Sequence, residues 1–145
     1  MAMNTKKVLI GGFAAGVVMI VIDYVINGFI LGARMKAESD AFKPGMADQM
    51  MGSSMIVSSI VMDLVLGIAL VWTYAAIRPR FGPGMKTASY VAFLFWILAG
   101  IFLSGYMHMG MMSVGLWWAF AFTGLINFLV ASWVGARVYS EDAAM

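Results

Sequence analysis

Apolar and polar positions in this chain fall into blocks: long greasy runs separated by short polar segments. Residues 8–31, 55–77, 87–107 and 113–134 each reach or exceed the length a helix needs to cross a bilayer, about 20 predominantly apolar residues. The pattern therefore predicts an all-α integral membrane four-helix bundle, one transmembrane domain over residues 1–145. Between the first two spans, residues 32–54 form the one substantial loop, which mixes Arg34, Lys36 and Lys43 with Glu38, Asp40 and Asp48. Pro44-Gly45 breaks it, and residues 46–51 beyond the break are expected to form a short interfacial helix. Arg78 to Lys86 carries the Pro and Gly of a tight turn, and residues 106–112 make a very short one. Lys6 and Lys7 before the first run are also what a signal peptide shows. This run is too long, contains Asp23 and ends at Gly32-Ala33-Arg34 without a small-residue cleavage site, so a retained helix is expected.

Composition agrees with the block pattern. The chain is 63% hydrophobic and 11% charged, against about a quarter charged in soluble domains. No cysteine is present, which excludes disulfides, thiolate metal ligands and a cysteine nucleophile. A formal charge of +2 is too small and scattered for a nucleic-acid partner; the surroundings are the lipid bilayer. The basic residues instead mark topology. Lys6, Lys7, Arg78, Arg80, Lys86 and Arg137 lie on one side, and Arg34, Lys36 and Lys43 on the other, so the positive-inside rule predicts both termini in the cytoplasm. Trp72, Tyr74, Tyr90, Trp133 and Tyr139 fall near one interface and Tyr106, Trp117 and Trp118 near the other, as aromatic belts do.

Three groups of residues could carry chemistry. Asp23 lies eight residues before the end of the first span at Leu31, and Asp63 eight residues after the start of the second at Met55. Both are then expected roughly 12 Å below the outer surface, at one level. Asn27 and Ser59 each lie one turn further out and extend a polar stripe. No Lys, Arg or His lies within the spans, so the acids share a proton, bind a cation, or act as hydrogen-bonding glue between helices. The second group is a methionine-rich outer rim around the only histidine, Met107-His108-Met109. Thioether and imidazole donors suit Cu(I), and a lone His can also serve as an axial ligand to a pigment or haem. The third is Asn127 with Thr123 one turn before it, placed nearer the cytoplasmic side and read as an interhelical hydrogen bond.

Gly12 and Gly16 form a GxxxG pattern, and Ala131 with Gly135 a second small-residue face; both predict close helix packing and, with it, a homo-oligomer or a place in a larger membrane complex. No GxSxG, HExxH, phosphate-binding glycine loop or Ser-His-Asp set is present. The inventory therefore favours a non-enzymatic membrane protein, a structural or accessory subunit or a self-associating bundle. The alternatives are a small cation or proton carrier using Asp23 and Asp63, and an outer-face copper-binding protein using the Met/His turn.

The opening Lys6-Lys-Val-Leu-Ile-Gly-Gly-Phe-Ala-Ala-Gly-Val-Val18 with Asn27-Gly28, and the centre Trp72-Thr-Tyr-Ala-Ala-Ile-Arg-Pro-Arg-Phe-Gly-Pro-Gly84, resemble a group of small uncharacterised bacterial inner-membrane proteins. The resemblance covers the first two spans and the turn after them. It implies four transmembrane helices and brings no activity with it.

Overall fold

A computed structural model describes residues 3–139, and the ordered elements among them are all helical. Helix α1 (Thr5–Val25) begins where the Asn4 side chain accepts the Lys7 N–H at 3.1 Å, an N-cap that satisfies an otherwise orphan donor. It runs into a π-helical turn, Ile26–Ile30. Then follow α2 (Gly32–Phe42), α3 (Met46–Met50), α4 (Ser53–Phe81), α5 (Met85–His108) and α6 (Val114–Val138). Four helices, Thr5–Ile30, Ser53–Phe81, Met85–His108 and Val114–Val138, are long and apolar enough to cross a membrane.

The segment between the first two spans holds more helix than its charge mixture suggested. Gly32–Phe42 is helical, with Arg34 and Glu38 paired one turn apart at 3.0 Å. The expected short helix after Pro44-Gly45 is α3, and it is tied to α2 by the Asp40 carboxylate, which accepts the Ala47 N–H at 3.1 Å. The second span also runs further than its apolar block, to Phe81 rather than Ile77. Pro79 stands in its last turn and takes away one backbone hydrogen bond there. Gly82 and Gly84 then take positive φ (84° and 115°) to reverse the chain. Tyr74 and Thr87 clamp that reversal: the Tyr74 hydroxyl accepts the Gly84 N–H at 2.9 Å, and the Thr87 hydroxyl donates to the Gly82 carbonyl at 2.7 Å.

Helix α1 is the hub. It packs on α4 and α6, and α5 packs chiefly on α6. The α1–α4 seam is made by glycine. A Cβ at Gly16 would lie 2.8 Å from the Leu64 Cα, one at Gly12 would strike the backbone of Ile68, and one at Gly67 would strike the backbones of Gly12 and Gly16. On the other side of α1, a Cβ at Gly11 would lie 2.9 Å from the Gly135 carbonyl, and Ala131 is fully buried. Trp96, Ser132 and Trp133 bind α5 to α6 through hydrogen bonds of 2.7–2.9 Å.

Gly11 packing beside Gly135 and Tyr139 puts the start of α1 and the end of α6 at one end of the bundle, called here the terminal end. The core, including Ala15, Leu70, Val71, Ala88 and Val91, concentrates towards it. The opposite, distal end is more open. Residues Ser53–Met62 are exposed on every face, so the first turns of α4 stand clear of the other spans.

Candidate functional site

The polar centre lies where the tight packing gives way to the open end. Asn127 on α6 is 4% exposed, and its Nδ2 donates to Oδ1 of Asp23 on α1 at 2.7 Å. This is the interhelical hydrogen bond expected of Asn127, but it is made at the level of Asp23 and not near the terminal end. Thr123 does not share in it; its hydroxyl is spent on the Ala119 carbonyl of its own helix at 2.9 Å. The amide oxygen of Asn127 is buried and has no hydrogen-bond partner among the described residues.

Asp63 is 9% exposed, and its carboxylate makes no hydrogen bond among the described residues. It interacts electrostatically with Asp23. The two are not level, however. The seam sets Gly12 against Ile68 and Gly16 against Leu64. Continued along α1, this register puts Asp63 level with Val17, six residues short of Asp23, an axial step of about 9 Å at 1.5 Å per residue. The equal depth expected from the span ends therefore fails, because those ends are not flush: the register set by the glycine contacts puts Met55 level with Val25, not with Leu31. In each helix the Cα–Cβ bond tilts towards the helix N-terminus. Since α1 and α4 are antiparallel, the two carboxyl groups lean towards each other across that step.

Asn27 and Ser59 do not join the acids. The π-helical turn beginning at Ile26 closes with an i to i+5 bond, Leu31 N–H to Ile26 carbonyl at 2.7 Å. Asn27 lines instead a distal cavity of about 30 Å³ with Met35, Ser39, Ala47, Met50 and Met51, space for about one water. Ser59 lies on the exposed stretch of α4 and donates to the Ile56 carbonyl at 2.9 Å.

Met107, His108 and Met109 close α5 at the distal end. Successive side chains at a helix end leave the axis about 100° apart, so neighbours in sequence do not face one point. Nδ1 of His108 is engaged with the Ser104 carbonyl at 2.7 Å. Among the described residues no three His, Cys, Asp or Glu side chains gather as a metal-binding group.

One distal feature has no signal in the sequence, since its partners stand 75 positions apart. Glu38 on α2 accepts the Ser113 N–H at 2.8 Å and the Ser113 hydroxyl at 2.7 Å, and Arg34 closes the triangle with Ser113 at 3.1 Å. Ser113 is also the N-cap of α6. The latch thus pins α2 over the start of the last span. Desolvation pushes the Glu38 carboxyl up, but hydrogen bonds from Ser113 and the Arg34 guanidinium outweigh it and hold the group below its ordinary range.

No family model, curated protein or solved structure matches this chain.

Proposed function

We propose that the chain is a non-enzymatic multi-pass protein of the bacterial inner membrane, with both termini cytoplasmic, that carries protons or small cations by way of Asp23 and Asp63. The observation behind this reading is the pair of carboxylates stepped along the bundle, one of them without a hydrogen bond among the described residues, with no Lys, Arg or His in the apolar blocks 8–31, 55–77, 87–107 and 113–134. Ionisable groups at such depth are costly and serve pathways for charge. Glue between helices would not leave the buried Asn127 oxygen unspent, because an unpaired buried polar group costs about 1–3 kcal/mol. The open distal end offers the approach.

Reconstitution into liposomes tests it. The wild type should dissipate an imposed pH or cation gradient, and Asp63→Asn should abolish that flux while leaving the protein folded. A second reading is a structural or accessory subunit, although the seam of Gly12, Gly16 and Gly67 is spent on packing within the chain. Equal flux through wild type and the Asp23→Asn, Asp63→Asn double variant, with assembly or stability alone altered, would decide for that reading.

A further inference from the structure

We propose that Asp23 and Asn127 together form a binding site for one small monovalent metal cation, separate from Asp63. This rests on the carrier reading above and names the ligand of its distal station.

The donors are hard oxygens. Asp23 offers its carboxylate, and Asn127 offers an amide oxygen that is buried, lies within one side chain of that carboxylate and has no hydrogen-bond partner. Asn127 is 4% exposed, so bulk water does not satisfy that oxygen. What satisfies it is positive: a cation or a donor held between α1 and α6. The 2.7 Å bond from Nδ2 already orients the amide and fixes the carboxylate, and a pre-set pair of this kind is how oxygen ligands are held for a metal. Asp23 itself is only partly buried and lies on the side of the open distal end, which gives an ion a route in and leaves room for water ligands. The π-helical turn starts three residues beyond it, and such turns cluster at functional sites.

Charge and donor type select the class. One carboxylate balances one positive charge. The next acid, Asp63, is stepped about 9 Å along the axis from Asp23 at the backbone, and it is Asp23 that holds Asn127. A divalent ion such as Ca²⁺ or Mg²⁺ would leave charge that this one carboxylate does not balance in low dielectric. Soft ions want sulfur or imidazole, which the pair lacks.

Sodium is the probe. Purified full-length protein, freed of alkali metal into a buffer of a bulky organic cation, is titrated with ²²Na⁺, and its melting temperature is followed as NaCl replaces the organic salt. Saturable binding of one Na⁺ per chain is expected, displaced by Li⁺, with a melting temperature that rises with Na⁺ by mass action. Asn127→Ala should weaken binding by at least about tenfold, the scale of losing an orienting partner. Asp23→Asn should abolish it, and Asp63→Asn should retain it. Absence of saturable Na⁺ binding and of the thermal shift in the wild type overturns the proposal even if no variant folds. If proton flux through the reconstituted wild type still depends on Asp63, the carrier reading survives that failure; if flux is absent too, both fall. Na⁺ binding lost in Asp63→Asn but kept in Asn127→Ala overturns the placement.

Discussion

Replacing Gly67 by alanine should separate the two halves of the site. Gly67 faces Gly12 and Gly16 across the α1–α4 seam, and a methyl group there would meet backbone atoms, the nearest Cα being that of Gly16 at 2.7 Å. Backbone cannot rotate away as a side chain can, so the cost falls at the upper end of the overpacking range, about 3 kcal/mol. Alanine's better helix propensity returns about 1 kcal/mol. The net loss should be about 2 kcal/mol, more than a tenfold change in the folding equilibrium. Gly124→Ala on α6 is the control, because nothing lies within 4 Å of a Cβ there; it should be neutral or stabilising by up to about 1 kcal/mol. Reversible unfolding in mixed detergent micelles, followed by circular dichroism, measures both. Equal behaviour of the two variants would mean that the seam is loose, and the register that steps Asp63 away from Asp23 would fall with it.

The distal latch should be acid-labile. Glu38 has a folded value below its ordinary 4.5, so its contribution is complete above that value and is lost as pH falls through the lowered one. Amide exchange in α2, corrected for its intrinsic pH dependence, should accelerate over that range and should already be fast at neutral pH in Glu38→Gln; unchanged α2 protection in that variant would contradict the latch. Ser113→Ala removes both a latch partner and the cap that accepts the Leu116 N–H at 3.1 Å, and should cost about 1 kcal/mol or more in the same unfolding assay. Trp96→Phe leaves the Ala121 carbonyl without its 2.7 Å partner and should cost about 1–3 kcal/mol, read as detachment of α5 from α6.

Much of the fold was legible because a bilayer leaves the chain few choices. Backbone groups in hydrocarbon must be satisfied within the segment, so an apolar run of sufficient length reads as a helix, and the four runs became α1 with its π-helical turn, α4, α5 and α6. Gly12, Gly16, Ala131 and Gly135 read correctly as small residues, and all four lie in helix contacts. The site was legible only as a set of suspects. Asp23 and Asp63 stood out by their cost, yet their relative depth was counted from span ends that are not flush. Asn27 and Ser59 were placed by ideal helical spacing. One lines a distal cavity instead, and the other stands on an unpacked stretch of helix.

What the sequence determined, then, was the number of spans, their composition and the presence of buried acids, because these follow from transfer of each segment between water and lipid. What only the tertiary structure decided was that Asn127, 104 positions from Asp23, is its partner, and that Asp63 lies deeper and without a hydrogen bond among the described residues. Those facts depend on helix rotation and register. Close contact between glycines sets both, and a glycine pattern in one helix does not state which turn of another helix it will meet.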